Sequence, residues 1–218
     1  MAAEYAHRFA LSAQLSGRLS EMNKTINCLL CGVGGQGTVL ASKLIAYAAM
    51  QKGKSVRTAE TIGMAQRGGC VVSHVRVGDE IFSPLIPMGS ADVIIAFEPA
   101  EAVRCLPYLR NGGTVIVNDR AVRPVTASLG DSSYDGTEML EYLGNADVGE
   151  LHVINGDSVC EKCGSPKVLN IALLAAAAKS GVLGISVEEL KNAVRGLVPQ
   201  IFHELNLNAV DIVCGNKN

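Results

Sequence analysis

Two stretches of this 218-residue chain combine residue types able to hold a charged ligand. The first is Gly32-Val-Gly-Gly-Gln-Gly-Thr38, in which Gly32, Gly34 and Gly37 stand at G-x-G-x-x-G spacing and Gly35 is an additional glycine. Glycine enters backbone conformations closed to other residues and lets a ligand approach with no Cβ in the way. A short apolar run, Ile26 to Cys31, precedes the loop, and a helical pattern, Thr38 to Gln51, follows it. Strand, glycine turn and helix N-terminus together favour an anion, usually a phosphate, because the first N–H groups of a helix are unpaired and lie at the positive end of its dipole. Gln36 and Thr38 fall inside the same candidate site. The second stretch is Gln66-Arg67-Gly68-Gly69. A glycine-flanked arginine can grip a phosphate or carboxylate bidentately, or pair with an acid of its own chain or of another subunit.

Other candidates carry less. Glu60 closes the second strand, near where a dinucleotide-binding fold places an acid for the ribose. An NAD(P)-binding Rossmann dehydrogenase domain and a nucleotide-sensing regulatory module therefore stand as alternatives. Cys160-Glu-Lys-Cys163 is a single C-x-x-C with neither the second ligand pair of a zinc site nor the cysteine run of an iron–sulfur cluster. It reads as ordinary thiols near a helix start. His74 reads as a partly exposed strand residue. The chain has no Walker lysine after its glycines, no G-x-S-x-G, no H-E-x-x-H and no Gly-Asp-Gly signature of a thiamine-diphosphate domain. No residue is assigned a catalytic role and no metal site is expected.

The elements that must position these residues follow from periodicity. Ile26–Cys31 is strand one; Cys28 and Cys31, three apart, face opposite sides of it. Thr38–Gln51 is a helix stopped by Gly53. Ser55–Ala59 is strand two, and residues 61–69 are a loop. Cys70–Val77 alternates as a strand, and Gly78-Asp79 followed by Glu80–Phe82 signals a hairpin return. Val93–Phe97, a helix opening at Glu98-Pro99 and running to Leu109 with a bend or early end at Pro107, a turn at Gly112-Gly113 and a strand Thr114–Asn118 make a βαβ unit. Residues 120–150 read as loops with one short helix. A strand Leu151–Ile154 follows. Ser165 and Pro166 open a helix to Lys179, and the capping box Ser186-x-x-Glu189 opens another that Pro199 closes. The expected fold is α/β and Rossmann-like, a mostly parallel sheet with helices on both faces and an antiparallel hairpin. Residues 1–24 read as an N-terminal extension, helical or non-native, and 25–218 as a single domain.

Composition narrows the classes. With 48% apolar and 18% charged residues a large core can form. A net charge of −2 and no tryptophan give no case for nucleic acid or a membrane surface. The longest apolar stretch, Val168 to Ala178, is interrupted by Asn170 and short of the roughly 20 residues of a membrane span. Residues 1–21 have no continuous apolar block, so no signal peptide is expected. Seven cysteines, an odd number, fit a reducing, cytoplasmic setting.

The pairing of Gly32-Val-Gly-Gly-Gln-Gly-Thr with Gly63-Met-Ala-Gln-Arg-Gly-Gly and Val71-Val-Ser-His-Val-Arg76 resembles the γ-type subunit of 2-oxoacid:ferredoxin oxidoreductases, and most closely the indolepyruvate branch. Ala91–Ile95, Gly164-Ser-Pro-Lys with Asn170, and Asn206 with Ala209 extend the resemblance over about residues 24–215. It departs from the family pattern in residues 1–21, in the Cys160–Cys163 segment and in Ala175-Ala-Ala. The resemblance implies a reaction shared between chains: oxidative decarboxylation of a 2-oxoacid such as indolepyruvate with coenzyme A, giving acyl-CoA, carbon dioxide and reduced ferredoxin. It places thiamine diphosphate and the iron–sulfur clusters on a large α subunit. It gives Gly32, Gly34, Gly35, Gln36, Gly37, Thr38, Gln66, Arg67 and Gly68 a share in holding coenzyme A.

Overall fold

The computed structural model describes residues 25–62, 69–122 and 134–215. The reading of residues 1–24 and the Gln66–Gly68 part of the candidate site lie outside them. The sheet comprises β1 (Ile26–Val33), β2 (Ser55–Ile62), β3 (Cys70–Gly78), β4 (Ala91–Ala96), β5 (Leu109–Asn118) and β6 (Glu150–Ile154), in the order β2-β3-β1-β4-β5-β6. β1, β4, β5 and β6 are parallel; β3 is antiparallel to both its neighbours, β1 and β2. The helices are α1 (Thr38–Gln51), α2 (Pro99–Cys105), α3 (Thr137–Asn145), α4 (Gly156–Cys163), α5 (Leu169–Ser180), α6 (Val187–Leu197) and α7 (His203–Cys214).

Two apolar layers sandwich the sheet, and strand alternation assigns side chains to them. Cys28 and Leu30 of β1 face the layer built with α1, α5, α6 and α7, whereas Leu29 and Cys31 face the layer built with α2 and α3. Cys28 and Cys31 thus lie on opposite faces, as their spacing requires. β4 is buried on both faces, with Val93, Ile94, Ile95 and Ala96 all inaccessible. A near-continuous apolar run is what a central parallel strand needs.

The α/β class, the mostly parallel sheet and the helices on both faces agree with expectation, and the antiparallel element is present but elsewhere. Glu80–Phe82 forms no strand. β3 lies between β2 and β1, and both its edges are already paired, so a returning strand has nothing to bond. The hairpin is β2–β3. β2 also continues to Ile62, past the expected end at Ala59. His74, expected partly exposed, is buried at 5% accessibility. The segment after β3 crosses over it: His74 Nδ1 accepts the Ile86 N–H at 3.2 Å, and its ring meets Tyr108 edge-on. Arg76 pins the same segment through the Ser83 carbonyl at 2.9 Å.

Other boundaries shift for local reasons. α2 stops at Cys105 rather than Leu109, because Pro107 has no N–H to continue it, and Leu106–Tyr108 is a single 3₁₀ turn. Leu109 already belongs to β5, which runs through Gly112-Gly113 instead of beginning after them. α4, which the sequence reading lacks, is capped by the Asn155 side chain on the Ser158 N–H and ended by Gly164 at φ 69°. Cys160 and Cys163 therefore close one helix rather than open the next, which begins as a 3₁₀ turn capped by Ser165. The capping box of α6 is formed as expected: Ser186 Oγ accepts the Glu189 N–H, and the Glu189 carboxylate accepts the Ser186 N–H.

Candidate functional site

The glycine loop lies at the C-terminal end of β1, where connections diverge. β1 leads through α1 toward β2 on one side, and β4 leads through α2 to β5 on the other. Such a divergence opens a crevice at the carboxyl ends of the strands, the usual ligand position in open α/β sheets.

Each loop residue has a separable task. Gly32 is the contact point between strands: a Cβ there would lie 2.7 Å from Gln36 Oε1 and 2.8 Å from Phe97 Cβ. Gly34 donates its N–H to the Gly69 carbonyl at 2.9 Å, tying the loop to the entry of β3. Gly35, at φ 103° with nothing near its Cβ position, is the open tip. Gln36 is a strut. Its Oε1 accepts the Val33 N–H at 2.7 Å, and its Nε2 donates to the Phe97 carbonyl of the adjoining strand at 3.0 Å. Gly37 precedes α1 at φ 89°, with Asn170 of α5 3.0 Å from its Cβ position. No side chain caps α1, and its first turn has no acid. The first amides of α1 are thus free of side-chain competition for an anion. Thr38, in that turn, is 4% accessible.

Reading the sequence alone did not single out the groups that support this loop from the neighbouring strands. Asn118, at the end of β5, donates from Nδ2 to the Phe97 carbonyl at 3.4 Å and accepts the Gly156 N–H at 3.2 Å. Buried Glu98 caps α2 by accepting the Glu101 N–H at 3.0 Å. It also accepts the Tyr134 hydroxyl, whose oxygen receives the Ala100 N–H at 3.1 Å. Burial, and then this bond to Glu98, holds the Tyr134 phenol well above its ordinary pKa. A polar residue directly after a continuous apolar strand was the available signal for both Asn118 and Glu98.

Glu60 does not share the loop's crevice. β3 separates β2 from β1, so the two strands are roughly 10 Å apart at the usual strand spacing. Glu60 instead accepts the Ser42 hydroxyl of α1 at 3.2 Å. In a dinucleotide-binding fold the acid-bearing strand is the direct neighbour of the first.

Cys70, Cys160 and Cys163 are all held above the ordinary thiol pKa. Cys70 is pushed up to about 12, by burial first and then by the Glu101 carboxylate. Burial also raises Cys160 and Cys163. All seven cysteines are free thiols, and no group of three His, Cys, Asp or Glu among the described residues is placed to hold a metal ion. Among the same residues no helix is long and apolar enough to cross a membrane.

Comparison with known proteins decides the family. Residues 27–213 match the family described as pyruvate ferredoxin/flavodoxin oxidoreductase. The chain belongs to this family. It is 40% identical over 187 residues to the indolepyruvate oxidoreductase subunit IorB of Archaeoglobus fulgidus, covering 85% of this chain and 92% of that protein. It is 34% identical over 190 residues to the subunit of the same name from Pyrococcus horikoshii, covering 87% and 94%. The crystal structure of a keto/oxoacid ferredoxin oxidoreductase gamma subunit from Geobacter sulfurreducens superposes with a TM-score of 0.62 at 25% identity, over 87% of this chain and 96% of that one. The resemblance read from the paired glycine motifs and the α/β architecture both agree with these matches.

Proposed function

We propose that this chain is the small subunit of an arylpyruvate, specifically indolepyruvate, ferredoxin oxidoreductase. The observation that carries the reading is the near full-length match to subunits named for indolepyruvate oxidoreductase. The reaction is the oxidative decarboxylation of a 2-oxoacid with coenzyme A to acyl-CoA, carbon dioxide and reduced ferredoxin. Thiamine diphosphate, which supplies the decarboxylation chemistry when bound, and the iron–sulfur clusters belong to the large α subunit. The absence of their motifs from this sequence agrees with that division of labour.

The chain's own residues bind and orient. The uncapped start of α1 and the open backbone at Gly35 suit a phosphate of coenzyme A. Arg67, with Gln66 and Gly68, supplies the charge that a pyrophosphate needs for bidentate contact. Gln36 serves this binding indirectly, because both its amide groups are committed to holding the loop shape. No side chain here acts as acid or base; the site completes a neighbouring active centre. The setting is the cytoplasm.

The test is co-expression with and without the large subunit, assaying indolepyruvate- and coenzyme A-dependent reduction of a low-potential dye. Activity is expected only in the complex, with the isolated chain colourless. A lone chain that binds NAD tightly and recruits no large subunit would return the reading to a dehydrogenase domain.

A further inference from the structure

The glycine-loop edge of the molecule bears an apolar ridge that the described fold leaves in water. α6 ends at Leu197, and Pro199 leads through a 3₁₀ turn, Gln200–Phe202, into α7. Ile201 at the tip of this turn is 83% exposed; Phe202 and Leu197 are 41% and 40% exposed. Leu40, in the first turn of α1 and three residues after Gly37, is 37% exposed. Beside Ile201, a groove of about 400 Å³ runs between α1 and the α6–α7 turn, lined by Leu40, Leu197, Val198, Phe202 and Leu205, with Lys167 among its polar residues.

The ridge is rigid. The His203 ring bonds the Val198 carbonyl through Nε2 at 2.7 Å, and Asn206 Nδ2 donates to the Phe202 carbonyl at 2.7 Å. The Phe202 N–H closes the turn on the Pro199 carbonyl at 2.9 Å. Apolar side chains held out by a stiff turn lose little freedom on binding, which is the property of interface anchors. A small ligand would fill the groove and still leave Ile201 in water, so a protein surface is the occupant that accounts for both features.

We propose that Leu40, Leu197, Ile201 and Phe202 form the docking surface for the large subunit, with Ile201 as its anchor. The inference rests on the function proposed above. If the cofactors reside on another chain, that chain must reach the open loop tip at Gly35, and Leu40 stands on the helix turn that this loop opens. A partner seated on the loop therefore covers the ridge. A second exposed apolar group, Phe82, Leu85 and Met88, does not share this position. Its segment leads to Ser90, whose carbonyl receives the Asn27 side-chain amide at the start of β1, the opposite end of the strand.

The experiment compares Ile201→Glu, Phe202→Glu and, as control, Phe82→Glu, each in the full chain with purified large subunit. Far-UV circular dichroism and melting temperature of the lone chain establish that each variant folds. The expected result is binding weakened roughly tenfold or more for Ile201→Glu and Phe202→Glu, with Phe82→Glu within about twofold of the parent. Folded Ile201→Glu and Phe202→Glu that both bind as tightly as the parent overturn the surface, as does loss of binding in Phe82→Glu alone. A lone parent chain that is dimeric, and that Ile201→Glu renders monomeric, overturns it in favour of a second copy. If the parent chain itself does not bind the large subunit, it is the proposed function that fails.

Discussion

Replacing Gly32 by alanine tests whether the loop is held by close packing of β1 against the end of β4. The residue has no positive φ, so its backbone suits any amino acid and the effect is steric. The new methyl would meet Gln36 Oε1 at 2.7 Å and Phe97 Cβ at 2.8 Å, both closer than real Cβ contacts come. Phe97 is fully buried, so it has no room to retreat. Overpacking of this kind costs about 1–3 kcal/mol. If Gln36 swings aside instead, its bond to the Val33 N–H breaks and a further ~1 kcal/mol is lost. The expected loss is therefore roughly 2–4 kcal/mol in urea unfolding, seen as a lower midpoint at unchanged slope. Gly144→Ala is the matched control. It sits in α3 with nothing near its Cβ position, and should be neutral or stabilise by up to about 1 kcal/mol. A Gly32→Ala midpoint equal to that of the parent would refute the reasoning, because it would show that β1 and Phe97 can separate at no cost.

Three further outcomes are expected. Arg67→Ala should leave the melting temperature of the lone chain unchanged while lowering turnover and coenzyme A affinity of the assembled enzyme; unchanged values of both would remove Arg67 from the site. Tyr134→Phe should cost about 1–2 kcal/mol in urea unfolding, because Glu98 loses a donor and the Ala100 N–H an acceptor; no loss would show that the pair holds nothing together. Burial holds the His74 pKa below its ordinary value, so the unfolded chain takes up the proton first as the pH falls. Stability should then decline as the pH drops below about 6.5, and His74→Asn should flatten that part of the profile in urea titrations at stepped pH; an unchanged profile would place the dependence elsewhere.

Much of this architecture is legible along the chain because its signals are local. The G-x-G-x-x-G spacing between an apolar run and a helical pattern already marks β1, the turn and α1. The capping box at Ser186 and the proline after Ser165 mark helix starts through hydrogen bonds a few residues long. Alternation alone puts Cys28 and Cys31 on opposite faces, which denies them a common ligand. Pairing partners are another matter, since a strand pattern states which face is apolar but not which neighbour bonds its edge. Insertion of β3 between β2 and β1 is a long-range choice. It turned the expected hairpin at Gly78 into a covering segment, buried His74 beneath Ile86, and carried Glu60 away from the loop toward Ser42. The roles inside the loop were likewise decided in three dimensions. Gln36 looks like a ligand-binding amide in the sequence, and becomes a strut only because β4 delivers the Phe97 carbonyl to within 3.0 Å of it. Residue types and spacing determined that a glycine turn joins a strand to an uncapped helix start here; the order of strands determined what surrounds it.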